Sequence, residues 1–253
     1  MRIITIGNQK GGVGKTTTTM NLGVALKKLG NKVLLIDFDP QSSLSIYLNH
    51  DVADRNTIDN LIYKFLFNEL KDISKYIKIS KNDEIEYIAS NPALANIEKN
   101  METRLAREYI LKEILENEYF EKYDYILIDT SPSISILMTN AFTVSTDVII
   151  PVQSQFFTIE SLRLVYNTIS QVKKYLNKDI NILGILCTMV ENTVMTRVVT
   201  EHLEKEYSKD LLKTKISKSV MASESTAIKK SLVNINCKLG EQYLELGKEI
   251  MEK

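Results

Sequence analysis

The chain has 253 residues, 44% hydrophobic and 25% charged, with 32 basic against 32 acidic side chains and a net charge of zero. These values fit one globular domain over 1–253 and exclude a disordered chain, while the neutral balance means that any nucleic-acid contact must come from a local patch. No apolar run approaches the roughly 18 residues that cross a bilayer, and the chain opens in a strand pattern without a signal core, so a cytoplasmic protein is expected.

Apolar runs of strand length alternate with helical patterns, which predicts an α/β fold: a twisted, mostly parallel sheet with helices on both faces. The first strand is Ile3–Gly7, followed by a glycine loop and a helix from Thr16 to Leu29 that Gly30 closes. Lys32–Asp37 comes next, and its solid run Val33-Leu34-Leu35-Ile36 predicts burial on both faces. Asn49–Ser80 reads as short helices and loops, and Ile85–Ala89 as a strand. Ile97, Met101, Leu105 and Tyr109 recur every four residues and predict one helical face over 95–118. Strands Tyr125–Asp129 and Asp147–Pro151, a helix over Ile159–Leu176 and a strand Ile180–Thr188 follow. The last helix sets Leu239, Tyr243, Leu246 and Ile250 on one face, with Glu241, Glu245 and Glu249 away from it. Cys187 and Cys237 lack CxxC or His-rich company and are expected to be reduced, structural thiols.

The chemistry concentrates where the first strand runs into Gly7-Asn8-Gln9-Lys10-Gly11-Gly12-Val13-Gly14-Lys15-Thr16-Thr17. Strand, glycine loop and helix in that order bind phosphate, because the glycines let backbone N–H groups turn toward an anion and the helix N-terminus adds partial positive charge. This makes the domain a P-loop NTPase, with Lys15 reaching the β- and γ-phosphates and the Thr16 hydroxyl ligating Mg²⁺. Gln9 stands where the ordinary pattern has its first glycine; what is present is the deviant form Lys10–Thr16, with a second lysine at its start. Leu35-Ile36-Asp37-Phe38-Asp39-Pro40 then places two carboxylates at a strand's C-terminal end, the edge where ligands bind in open sheets. One can hold the water shell of Mg²⁺, the other position an attacking water. Tyr125-Ile126-Leu127-Ile128-Asp129 is a Walker B pattern whose carboxylate reaches Mg²⁺ through water.

Taken together, these motifs resemble the ParA/MinD group of deviant Walker ATPases, and more closely the short, Soj-like ParA proteins. The resemblance runs on through Thr130-Ser131-Pro132-Ser133, which is similar to switch II, Ile150–Gln153, Phe156–Leu162 and Leu186–Met189. It implies ATP as substrate, a homodimer sandwiching two nucleotides, Lys10 crossing to the partner's nucleotide, Asp39 as the hydrolysis residue and Asp37 as structural or close to the metal. A second cation aimed at the phosphates has an independent rationale, since it stabilises charge that develops in transfer. Where the group has a Pro-x-Asn stretch near adenine, Ser217-Lys218-Ser219 aligns, and Ser217 and Ser219 are the expected base contacts.

The resemblance further implies nonspecific DNA binding by the dimer, nucleoid association and stimulation by a ParB-like centromere-binding protein. The group's two DNA-binding arginines align with Thr193 and Met221; nearby stand Arg197, Lys213, Lys215, Lys218, Lys229 and Lys230. Between Lys209 and Lys230 six lysines face only Asp210 and Glu224, a net charge of +4 on a neutral chain. A membrane-binding relative needs a basic C-terminal helix, whereas this one carries Glu241, Glu245, Glu249 and Glu252. An iron–sulfur relative needs cysteines near switch II, and Asp129–Asn140 contains none. The remaining alternative is an ATP-dimer scaffold or positioning ATPase that recruits a protein partner without touching DNA.

Overall fold

A computed structural model describes residues 1–153 and 158–253. Among the described residues eight strands form one sheet: β1 (Arg2–Ile6), β2 (Val33–Phe38), β3 (Lys78–Ile79), β4 (Glu86–Ile88), β5 (Tyr125–Thr130), β6 (Asp147–Gln153), β7 (Asn181–Val190) and β8 (Leu211–Ser217). Their order is β3-β4-β2-β5-β1-β6-β7-β8, and every pair is parallel except β3 with β4. All the expected strands are present, because β2, β5 and β6 are buried along nearly their whole length. Phe156 and Phe157, part of the Phe156–Leu162 match, lie outside the described residues.

One face of the sheet is covered by α1 (Lys15–Lys28) and the final helix, whose Leu239, Tyr243, Leu246 and Ile250 are buried as their spacing predicts. On the opposite face lie α3 (Ile58–Leu66), α4 (Leu94–Glu102), α5 (Ile110–Leu115) and α6 (Ile136–Val144), while α7 (Thr158–Tyr175) and α8 (Val194–Glu206) flank β6 and β7. The short α2 (Ser43–Tyr47) follows β2, and α9 (Met221–Ala227) leads from β8 toward α10 (Lys238–Glu252). None of the described helices is long and apolar enough to cross a membrane.

The structure corrects two expectations. The helical face over 95–118 is broken: Ile97 and Met101 are buried in α4, but Leu105 is 97% exposed and Ala106 adopts φ 52°. Periodicity continues through the break by accident, because the chain restarts where the buried Asn140 side chain holds it, donating to the Arg107 carbonyl and accepting from the Leu111 amide. The second correction is β8, absent from the expected strands. Its Leu-Leu-Lys-Thr-Lys-Ile-Ser reads as a lysine patch, yet Leu212 and Ile216 point inward while Lys213 faces solvent, as on an edge strand. Glu249, on the polar side of α10, accepts from the amides of Lys213 and Thr214 at 2.7 and 2.9 Å.

Helix α10 approaches the Leu232–Asn234 turn so closely that a Cβ on Gly240 would lie 2.2 Å from the Leu232 carbonyl oxygen. That turn cannot retreat, since Asn21 of α1 accepts from the Leu232 amide at 2.7 Å. Gly240→Ala is therefore expected to destabilise the fold by about 1–3 kcal/mol in urea denaturation. Gly11→Ala, where a Cβ meets nothing within 4 Å, is the comparison and should leave the midpoint nearly unchanged.

Candidate functional site

Parallel pairing delivers the C-terminal ends of β1, β2, β5, β6, β7 and β8 to one edge, and the phosphate loop lies across it. Gly12 and Gly14 take φ 73° and 85°, a left-handed backbone that side chains resist, so the loop can curl over its own amides. Two buried side chains hold it down. Asn8 donates to the Pro151 carbonyl at 2.7 Å and accepts from the Lys10 amide at 2.9 Å, while the Thr188 hydroxyl donates to the Val13 carbonyl at 2.8 Å. Neither carried a role in the sequence reading; Thr188 lies within the Leu186–Met189 match, and Asn8 is the loop's one amide side chain turned inward.

Lys15, at the start of α1, is 7% exposed, with Nζ 3.2 Å from the Lys10 carbonyl. Burial lowers its pKa, opposed by the charges of Asp129 and Asp39. Thr16 and Thr17 follow on the first turn of α1, half-buried. Lys10 is half-buried and Gly11 and Gly12 are exposed, so this rim of the loop is its outer wall.

Register brings the acids together: Asp37 pairs with Asp129 across β2 and β5, and both are fully buried. Asp37 accepts from the Ser45 amide and hydroxyl at 2.7 Å each on Oδ2, and from the Asp39 amide at 3.2 Å on Oδ1. With both oxygens engaged it organises the segment after β2. Asp39 is buried too; its Oδ1 accepts from the Gln41 amide, and its carbonyl accepts from Ser90.

Asp129 differs. Its Oδ1 receives the Thr19 hydroxyl at 3.4 Å and the Thr16 hydroxyl acts to lower its pKa, but buried Oδ2 has no partner. An orphaned carboxylate oxygen beside a threonine hydroxyl suits a hard divalent cation, so the Mg²⁺ implied by the motifs fits Thr16 and Asp129. Burial first, and then the neighbouring Asp37 charge, push Asp129 up to about 8; burial likewise raises Asp37 to about 6 against the hydrogen bonds of Ser45.

The remaining predicted residues divide into separate groups. Ser217 ends β8 and Ser219 follows it at the same sheet edge, but Ser217 is clamped by Gln242, which accepts from its amide and donates to its hydroxyl, and the Ser219 hydroxyl accepts from the Met221 amide. Lys215 pairs with Glu204 at 3.3 Å and Lys218 with Glu191 at 3.2 Å, while Arg197 bonds Asn192. Lys213 is exposed on β8 nearby. Lys229 and Lys230 stand apart beyond α9, against the Asn82–Asp83 turn, where the Lys229 carbonyl accepts from Asn82 and the Lys230 charge acts on Asp83.

The paired acids carry a pH dependence. Their folded pKa values lie above the ordinary 3.8, so their contribution to stability is complete below about pH 4 and is lost as pH rises through about 6 and 8. Stability of the nucleotide-free protein should therefore fall from pH 4 to 8 in urea titrations. Asp129→Asn, which cannot ionise, should flatten that fall and be more stable than wild type by about 2 kcal/mol at pH 8; an unchanged slope refutes the assignment.

A family model described as an AAA domain matches residues 1–182. The chain is 37% identical over 252 residues to the sporulation initiation inhibitor protein Soj of Bacillus subtilis, covering 98% of each chain. Among solved structures, a plasmid partition protein of Borrelia burgdorferi bound to AMPPNP is 30% identical with a TM-score of 0.76, covering 99% of this chain and 97% of that one. A cobyrinic acid a,c-diamide synthase from Mycobacterium smegmatis, with bound ATP analog and magnesium, is 28% identical with a TM-score of 0.80, covering 100% of this chain and 95% of that one. With its phosphate loop, the acids Asp37 and Asp39 and the Walker B carboxylate of Asp129 on one sheet edge, the chain belongs to the Soj/ParA family of P-loop ATPases.

Proposed function

We propose that this chain is a DNA-partition ATPase that binds ATP with Mg²⁺, pairs face to face with a second copy, holds nonspecific DNA as that dimer, and hydrolyses ATP when a ParB-like protein arrives. The observation that carries the reading is the shape of the loop's outer rim. Gly11 and Gly12 have no neighbour on that side, and Lys10 stands beside them, so the rim is open to a second chain. Ile134, Val194, Met195 and Val220 follow the C-terminal ends of β5, β7 and β8 and are exposed by 65, 78, 48 and 73%, an apolar surround suited to a second copy. The Borrelia burgdorferi structure is that of a plasmid partition protein, which supports partition, and with it work in the cytoplasm on the nucleoid, as the role of this chain.

In this reading the loop amides and the α1 N-terminus bind the phosphates, with Lys15 as the counter-charge. Thr16 and Asp129 hold Mg²⁺, which supplies charge neutralisation when bound. Asp39 orients the water that attacks the γ-phosphorus, giving ADP and inorganic phosphate, and Lys10 reaches the partner's phosphates as charge shifts to the leaving oxygen. Ser217 and Ser219 belong to the loop beside the base, which reads adenine through its main chain because their hydroxyls are engaged within the protein.

Three substitutions separate these roles. Lys15→Ala should abolish ATP binding. Lys10→Ala should bind ATP within about threefold of wild type yet fail to dimerise in light scattering, and Asp39→Ala should dimerise but lose at least about 100-fold in turnover. Normal turnover by Asp39→Ala moves the water-orienting role elsewhere.

Binding of random-sequence DNA with ATP, ADP or no nucleotide across a salt series tests the function itself. Exposed ion pairs such as Lys215–Glu204 and Lys218–Glu191 are worth about 0–1 kcal/mol, so these lysines exchange readily to DNA phosphates. Changing Lys215 and Lys218 to Glu should weaken ATP-dependent binding about tenfold or more and lower the salt slope by about 2, leaving ATP binding intact. If wild type binds no DNA in any nucleotide state, those ion pairs favour the scaffold reading, in which the ATP dimer recruits only a protein.

A further inference from the structure

The segment after Asp37 and Asp39 meets the C-terminal third of the chain in the core and at a buried hydrogen bond. Tyr47, the last residue of α2, is 1% exposed, and its hydroxyl lies 2.6 Å from that of Ser225 in α9. Ser225 Oγ also lies 2.9 Å from the Ala222 carbonyl, which can only accept. The serine's single proton is therefore directed to Ala222, and Tyr47 is the donor to Ser225.

Each end of this bond is fastened to a different part of the site. Two residues before Tyr47, Ser45 donates amide and hydroxyl to Asp37, and its Oγ accepts from the Ser90 amide, while Ser90 Oγ donates to the Asp39 carbonyl. Helix α2 is only five residues long, its N-cap Ser42 takes left-handed backbone at φ 55°, and Ser45 and Ser90 tie it to Asp37 and Asp39. At the other end, α9 directly follows the Ser217–Ser219 loop and leads to Lys229 and Lys230. Ser225 is the fully buried residue of α9; the rest of that helix is exposed or half-buried. Beyond α9 the chain is anchored, with Asn21 accepting from the Ser231 hydroxyl and the Leu232 amide. Helix α9 is thus a short lever, anchored beyond its C-terminal end and packed on the core through Met221 and Ala222, and its buried polar grip is Tyr47. A buried hydroxyl left unpaired is costly, so a displacement of Tyr47 carries Ser225 with it.

We propose that Tyr47 and Ser225 are positioning residues that couple the γ-phosphate end of the site to α9, transmitting a rearrangement of Asp37–Ser45 on ATP binding to the surface between Ser217 and Lys230. Only the consequence for DNA rests on the function proposed above; the coupling itself does not.

The test is amide hydrogen exchange over 221–228, with and without AMPPNP and Mg²⁺, in wild type, Tyr47→Phe, Ser225→Ala and the double variant. Ser223→Ala, which removes a hydroxyl bonded to the Val220 carbonyl of the same helix, is the control. Nucleotide should slow exchange of α9 in wild type and control. Either single variant should shrink that effect about fivefold, the double no further than a single, all with unchanged AMPPNP affinity. Equal protection of Tyr47→Phe and wild type overturns the coupling, as does a wild-type α9 indifferent to nucleotide. Tyr47→Phe keeps the ring and its packing, and Ser225→Ala reports the same bond from the other side, so misfolding of one leaves the other decisive. DNA affinity measured in parallel separates the two ideas. Protection of α9 without any DNA binding supports the coupling and refutes partition, whereas variants that lose the protection but keep the ATP dependence of DNA binding support the coupling and overturn only its consequence for DNA.

Discussion

Two carboxylates placed side by side in a dry sheet set the terms for the site. Because β2 and β5 run parallel in register, Asp37 and Asp129 are lateral neighbours with no solvent to screen them. The fold resolves the repulsion by giving them unlike surroundings. Three donors surround Asp37, whereas Asp129 keeps one oxygen bare. Lys15 supplies a single compensating charge and is itself weakened by burial. The cluster is left short of positive charge at the point where a metal-bound nucleotide would deliver it, so ligand binding and relief of internal strain are one event.

The rest of the molecule holds that cluster from several directions. Thr188 near the end of β7 grips the loop, Ser90 beyond β4 steadies Asp39, and Gln242 of α10 pins the end of β8. The polar residues of α1 are turned inward for the same reason: Asn21 donates to the Thr17 carbonyl and accepts from the chain beyond α9. The stretch after residue 182, outside the matched AAA region, therefore braces the helix that begins at the phosphate loop.

What could be read from the sequence depended on how local the determining force is. Glycine loop, buried strands and the terminal acids of β2 and β5 each write their pattern into consecutive residues, and all stand where expected. The face of α10 was legible too, since Leu239, Tyr243, Leu246 and Ile250 obey one period. Leu105 satisfied the same rule and is in solvent, because the helix ends for a reason located at Asn140, more than thirty residues away in sequence. Ser45, Asn8 and Thr188 escaped notice for a related cause: small polar side chains acquire a role only when folding presents a partner. The lysines of β8 were legible as charge but not as strand, and nothing near them in sequence announces Glu191 or Glu204.

The carboxylate of Glu249 has a consequence for how copies of this chain can meet. Strand β8 is the sheet's last, and its pairing with β7 is irregular between Leu211 and Ser217. Where that irregularity leaves two main-chain donors, Glu249 has already taken them with charge-assisted bonds. At the far border β3 is two residues long, too short to template another strand. Both margins of the sheet are closed to strand addition, so self-association cannot drift into an endless ribbon.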